Sequence, residues 1–354
     1  MSGLSRVNRR KIFWLFNLLL SLLLSGLLIV VIGYYRDFQR MPPDHRIGNR
    51  ESNVKAIEQK EPPFSFLVLG DTQGSDRLKN LLNLALKNGN YSFLIHLGDM
   101  VIKPDRWNHL FFLKEMTTDI KPPFPVFVVP GNHDVDSTSS EIRDKERRMT
   151  QAVFDSFYGA RNFHFIYNHC LFILLEIDLK NPTGYLNYLR DVLSIQGSGI
   201  KYTFVFIHHP PKLFEEIDNI FPHQDEFFSL LETYKVTTCF FGHYHGNWRG
   251  QRNGVNYIIA GGGGRFKERQ SEWGRFHHLL KVTVGEALVA EQMITLQDRF
   301  GITHRLNEWI FINFFPLIQN RGWILYGTTF LLISWGVTSL ILFIKSLMKP
   351  KYFG

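Results

Sequence analysis

Apolar and polar positions along this chain fall into blocks that repeat one theme. Short β-branched and aromatic runs stop abruptly at Gly or Pro and give way to polar residues. Phe66-Leu67-Val68-Leu69 is the first such run, Phe93-Leu94-Ile95 the second and Val126-Phe127-Val128-Val129 the third. Phe204-Val205-Phe206-Ile207 and Thr237-Thr238-Cys239-Phe240-Phe241 follow. Their length, composition and boundaries predict buried strands. Helix-period stretches at 76–87, 105–117, 142–157, 184–194 and 225–233 are expected to cover the strands, and 277–284 and 287–296 read as closing strands.

The two ends of the chain have a different pattern. Ile12 to Ile32 carries no charge, and neither does Trp323 to Ile344. As helices, each would span about 30 Å, enough for the hydrocarbon core of a bilayer. The first run exceeds the usual apolar length of a cleaved signal, and no small-residue cleavage site follows it. The expected organisation is therefore a tail at 1–11, a transmembrane helix at 12–33 and a polar, Pro-punctuated linker at 34–63. A catalytic domain at 64–300, a juxtamembrane segment at 301–322, a second transmembrane helix at 323–344 and a tail at 345–354 complete it. Within the juxtamembrane segment, the aromatic stretch from Trp309 to Leu317 is expected at the membrane interface.

The candidate chemistry sits directly behind the five strand runs. In order, the blocks are Gly70-Asp71-Thr72-Gln73, Gly98-Asp99, Gly131-Asn132-His133-Asp134, His208-His209-Pro210-Pro211 and Gly242-His243-Tyr244-His245. In open α/β sheets, ligands bind at the carboxyl ends of strands, so five such ends predict one shared pocket. Asp, Asn and His together supply hard oxygens and neutral imidazoles, a set suited to Mn, Fe or Zn. Two divalent ions about 3.5–4 Å apart clamp the attacking and leaving oxygens of a phosphoryl displacement and acidify the water that attacks. Asp99, in the middle of the set, is the natural bridge. His133 follows a ligand candidate and points elsewhere, placed to protonate the leaving oxygen. Any one block alone reads as a turn after a strand; five in this order do not.

The ordered set resembles the calcineurin-like metallophosphoesterase family, over roughly residues 64–296. The resemblance implies an α/β, four-layer α/β/β/α sandwich with a dinuclear metal centre. It implies that one ion takes Asp71, Gln73, Asp99 and His245, and the other Asp99, Asn132, His208 and His243. His208 is preferred to His209 because the family's ligand lies two residues before the Pro, which leaves His209 to contact substrate. Gln73 departs from the common His. Its amide oxygen is a weaker, harder donor, which shifts preference from Zn toward Mn or Fe, with Mn favoured. Ile102 stands where relatives often carry an acid that supports the catalytic His, which leaves Asp134 and Asp105 as candidates to orient His133. Gly261-Gly262-Gly263-Gly264 reads as a tight loop at the pocket rim, with Arg265 as a substrate contact. His96, His109, His164, His169, His223 and His277 lack such context and read as surface or core histidines.

Charge changes the picture in one respect. Arg6, Arg9, Arg10 and Lys11 precede the first apolar run, Lys345, Lys349 and Lys351 follow the second, and neither tail holds an acid. The positive-inside rule places both tails in the cytoplasm and the domain in the periplasm, a lumen or the exterior. The remaining 33 Lys and Arg face 32 acids, so the pI near 9.3 reports these tails and not a nucleic-acid-binding face. Cys170 and Cys239 lie in apolar runs and read as buried thiols. The expected function is a membrane-anchored phosphoesterase that hydrolyses phosphomonoester, phosphodiester or diphosphate bonds, with a lipid-linked or envelope substrate in view. A phosphoserine or phosphothreonine phosphatase and a non-catalytic membrane receptor or scaffold are the alternatives.

Overall fold

Runs of Val, Ile, Leu and Phe too short for helices become strands when both faces can be buried, and a computed structural model of the protein bears this out. It describes residues 6–42, 45–137, 142–195, 199–215, 217, 221–264, 276–296 and 302–348. These divide into two units, 42–304 and a helical unit drawn from both ends of the chain.

The larger unit holds eleven strands: β1 (Phe64–Leu69), β2 (Leu94–His96), β3 (Val126–Val128), β4 (Phe163–Tyr167), β5 (Cys170–Leu175), β6 (Tyr202–Ile207), β7 (Thr238–Phe241), β8 (Asn247–Arg252), β9 (Val255–Ala260), β10 (His277–Val284) and β11 (Val289–Leu296). They form a five-stranded sheet, β11-β10-β1-β2-β3, and a six-stranded sheet, β4-β5-β6-β7-β9-β8. β1, β2 and β3 run parallel, as do β5, β6, β7 and β9, so the ends that carry the candidate blocks share a direction within each sheet. Between the sheets lies an aromatic core. Phe66 and Phe93 from the first sheet meet Phe172 edge to face, and Phe127 stacks on Phe165 at 4.5 Å. Such pairs add about 0.5–1.5 kcal/mol each beyond area burial. Helices Gly184–Ser194 and Gln224–Thr233 bury Leu186, Leu189, Phe227 and Leu231 on the outside of the second sheet, and helix Arg77–Lys87 packs on β10 and β11. The α/β/β/α layering predicted from the sequence is thus present.

Two segments differ from expectation. The helix expected over 142–157 occupies only Gln151–Tyr158. Thr150 caps it by accepting from Val153 N, and the residues before it turn and are tied to the neighbouring loop instead: Arg147 O accepts from Arg106 N, and Met149 N donates to Pro104 O. The expected linker over 34–63 is structured. Its first residues continue a helix to Arg40, and residues 46–49 line the exposed edge of β3. Val126 N donates to Arg46 O, Asn49 Nδ2 donates to Val128 O, and Val128 N donates back to Asn49 Oδ1 at 3.0 Å. An edge strand with unpaired backbone groups needs such a cover, and Ile47 and Ile57 are buried with it.

The helical unit contains helices Arg6–Arg40 and Gly322–Met348, both long and apolar enough to cross a membrane. They exceed the predicted spans because the flanking Arg, Lys and Leu residues are good helix formers. The two pack on each other through small residues: Ser21 and Ser339 are buried, and Gly336 lies against Ser21. Phe311 and Phe315, from the stretch expected at the interface, pack on Tyr34 and Phe38 of the first helix.

Candidate metal centre

Each candidate block begins where its strand stops, and the backbone turns sharply there. Asp71, Gln73, Asp99 and His243 all adopt left-handed backbone, with φ of 60°, 46°, 52° and 67°. Such conformations cost energy for residues with a Cβ and persist where the surrounding structure over-determines them. Backbone ladders do so here: Asp71 N donates to Gly98 O, Gln73 N to Asp99 O, and Gly242 N to His208 O. Glycines admit the carboxylates. A Cβ at Gly131 would lie 2.3 Å from Asp99 Oδ1, and one at Gly242 would lie 2.8 Å from Asp71 Oδ2.

The ladders and glycines gather the predicted residues. Asp99 is the hub: Oδ1 accepts from His133 N at 2.9 Å and lies 3.4 Å from His208 Nε2, and Oδ2 is 3.4 Å from Gln73 Nε2. Asn132 Oδ1 lies 3.2 Å from His208 Nε2 and 3.0 Å from His243 Nδ1. Asp71 Oδ1 accepts from His243 N at 3.0 Å and lies 3.7 Å from His245 Nε2. Asp71, Asp99 and His208 present ligand atoms within 4.8 Å of one another, and His208, His209 and His243 do the same.

The donor set fits a cation. His208 Nδ1 lies 2.7 Å from Leu97 O, so that nitrogen carries the proton and the Nε2 lone pair faces Asp99 Oδ1 and Asn132 Oδ1. Three acceptors then converge within about 3.5 Å, which is unfavourable without a positive charge among them. Asp71 and Asp99 are both buried, and ionised carboxylates at such depth require a charged partner.

His133 Nε2 lies 3.9 Å from Asp99 Oδ2 on a ring that is 34 % exposed, whereas Asp99 is 2 % exposed. Its Nδ1 sits 3.0 Å from the carbonyl oxygen of Ile102. The residue that lacks the family's acid thus orients the ring through its backbone, and the two carboxylates considered for this role serve elsewhere. Asp134 accepts from Met100 N, Val101 N and Gly131 N, and so ties the second block to the third. Burial, and then the Asp99 charge, push its carboxyl upward against those N–H groups. Asp105 caps helix Arg106–Lys114 through Trp107 N and pairs with Arg147.

The remaining histidines read as core and surface groups are so placed. His96 accepts from Gly98 N and bonds Thr72 Oγ1, His109 bonds Tyr158 and the Asp134 carbonyl, and burial lowers both to about 3. His277 accepts from Arg77 Nε, and His164 bonds Tyr188; His169 is exposed, and His223 precedes helix Gln224–Thr233. The four-glycine loop packs on the first block, with Gly263 N donating to Gly70 O, as a strand-end loop at the rim. Arg265 lies outside the described residues. Sequence reasoning did not find the positioning carbonyls of Leu97 and Ile102, nor the loop Glu176–Leu179 that reaches His208 and His209 across a small cavity.

The model of the calcineurin-like phosphoesterase family matches residues 64–247, just over half of the chain. The chain belongs to this family. The family implies a dinuclear divalent metal centre, and the cluster of Asp71, Asp99 and His208 agrees with one. Among solved structures, a purple acid phosphatase from yellow lupin (Lupinus luteus) seeds is similar, with a TM-score of 0.52 at 14% identity, over 67% of this chain and 52% of that one. The match thus spans about half of the lupin enzyme. GAP50, the anchor in the inner membrane complex of Plasmodium, gives 0.46 at 14% identity over 70% and 94% of the two chains. A dimetal phosphatase from Danio rerio gives 0.45 at 15% identity over 67% and 100%. No curated protein matches the sequence.

Proposed function

We propose that this protein is a membrane-anchored, two-metal phosphoesterase that cleaves P–O bonds of a mono- or diester, with the substrate on or in the same membrane. The convergence of Asp71, Gln73, Asp99, Asn132, His208, His243 and His245 from the strand ends of both sheets carries this reading. Asp71, Gln73, Asp99 and His245 would hold one ion; Asp99, Asn132, His208 and His243 would hold the other. When bound, two divalent ions supply Lewis acidity and make water a nucleophile at neutral pH.

The chain's own groups account for the rest of the reaction. Asp99 is shared, and its hydrogen bond from His133 N couples the ion site to the acid. Ile102 O holds His133 Nδ1–H, which leaves Nε2 to carry a proton to the departing oxygen. The ring of His209 lies 4.4 Å from that of His243, which supports a substrate-contact role beside the ligands. Retention of nearly the whole donor set argues against a scaffold that has lost catalysis. The two long apolar helices support anchoring, and the basic tails support a domain facing away from the cytoplasm.

The test is metal reconstitution of the full-length protein in detergent. We expect about two ions per chain and hydrolysis of nitrophenyl mono- or diesters, strongest with Mn. Fewer than one ion per chain, or no hydrolysis with Mn, Fe or Zn, would overturn the reading.

A further inference from the structure

Beside the metal centre is a cavity of about 180 Å³, lined by the loops that follow β3, β5 and β6. Asn132, His208 and His209 contribute to its wall, so it opens from the same residues that gather the ions. The β5 loop contributes Glu176, Ile177, Asp178 and Leu179. Its size is below the roughly 300–1,000 Å³ of sites for drug-sized ligands, which suits a small group.

The charge of the wall is one-sided. Two of the lining residues, Glu176 and Asp178, are acids, and no Lys or Arg is among the described lining residues. Glu176 is paired with Arg161, which also binds Asp155 at 2.9 Å, so that arginine is already shared between two acids. Asp178 Oδ2 accepts from Gln151 Nε2 at 3.1 Å and Oδ1 from Lys180 N at 2.9 Å, and each oxygen keeps a lone pair for another donor. Val135, Ile177 and Leu179 add apolar surface. Glu176 is offset by Arg161, but the Asp178 carboxylate is met only by neutral N–H donors, so a second phosphate beside it would be repelled, whereas hydroxyl or ammonium donors would be accepted.

We propose that this cavity seats the organic group of the substrate, a small alcohol that carries hydroxyl or ammonium donors and no second phosphate. The inference rests on the phosphoesterase reading and narrows it by disfavouring diphosphates. Selectivity lies in the β5 loop, which the metal set does not include.

The test compares kcat/KM of Mn-loaded full-length protein in detergent for phosphorylcholine, glycerol 3-phosphate and pyrophosphate, with inhibition by free choline and glycerol as a binding readout. We expect the organic esters to be favoured at least about tenfold, a margin that one charge-assisted hydrogen bond can supply. Asp178→Lys should narrow that ratio and weaken inhibition by choline. Leu179→Lys, at a position 74% exposed and therefore tolerant of change, should also narrow the ratio. Pyrophosphate turned over as well as the esters, with neither variant moving the ratio, overturns the cavity assignment and leaves the phosphoesterase reading standing. No hydrolysis of these or of nitrophenyl esters overturns both.

Discussion

The two sheets contribute unequally to the candidate metal centre. Blocks behind β1, β2 and β3 supply oxygen donors, namely Asp71, Gln73, Asp99 and Asn132, whereas blocks behind β6 and β7 supply the imidazoles of His208, His243 and His245. The oxygen half is bent and, apart from the exposed Asn132, buried: three of its four residues have left-handed backbone, and Asp134 ties its loops together through three N–H groups. The imidazole half is held from outside itself. Leu97 O orients His208, and Asp71 Oδ1 takes the backbone N–H of His243, both from the first sheet. The oxygen half is therefore the template and the imidazole half depends on it. Neither half alone offers a complete set for two ions, so metal binding and sheet-on-sheet packing are coupled.

Substitutions on opposite sides of this divide should behave differently. Asp99→Ala removes the bridge and should release both ions, whereas His243→Ala should release one. Metal analysis that finds the two variants equally depleted would erase the distinction between template and dependant.

His133 belongs to the oxygen half by sequence but holds no ion in this scheme. His133→Ala should keep the metal content and lower kcat by about 10²–10⁴-fold, the usual weight of a general acid. The loss should be smaller for nitrophenyl esters, whose leaving groups need no proton. Equal losses for nitrophenyl and alkyl esters would argue that Ile102 O orients a ring with some other task.

The histidines buried behind the centre predict how stability responds to acid. Burial lowers His96 and His109 from 6.5 to about 3 and His278 from 6.5 to about 4. The unfolded chain therefore binds protons that the folded chain refuses, and their contribution, complete above pH 6.5, is lost as pH falls below it. Glu176 opposes this. Burial raises it from 4.5 to about 7, so its contribution is present below 4.5 and lost as pH rises through 7. Asp134 and Glu291, which burial also raises, act with Glu176, and His164, which burial lowers, acts with the three rings. Removing one opposing acid should expose the rings: between pH 4.5 and 6.5 the stability of Glu176→Gln to thermal unfolding should fall more steeply with falling pH than that of the parent, by up to one proton, or about 1.4 kcal/mol per pH unit. Equal slopes in the two proteins would contradict the raised, buried carboxyl of Glu176.

The smallest effect should come from blurring the divide itself. Gln73→His places an imidazole in the oxygen half and should raise tolerance of Zn relative to Mn by a modest factor. If the metal dependence does not change, Gln73 serves Asp99 through its amide, 3.4 Å from Oδ2, and not an ion.

Much of this was legible in the sequence because it is local. The strand runs at Phe66–Leu69, Phe204–Ile207 and His277–Val284 are apolar enough to declare themselves, and a helix such as Gly184–Ser194 needs only its own periodicity. The order of the Asp, Asn and His blocks, and their place at strand ends, follows from residue type and position alone, as does the presence of the two apolar helices, though not their full length. Tertiary structure decided what depends on backbone groups and on distant chain. The carbonyls of Leu97 and Ile102 select the tautomers of His208 and His133, yet every residue has a carbonyl, and only packing makes these two available to an imidazole. Residues 46–49 read as linker because their role is to pair the edge of β3, some 80 residues away in sequence. The left-handed turns at Asp71, Gln73, Asp99 and His243, and the acidic wall from Glu176 to Asp178, exist only because two sheets meet: their strain and their electrostatics are paid for by contacts that no local pattern records.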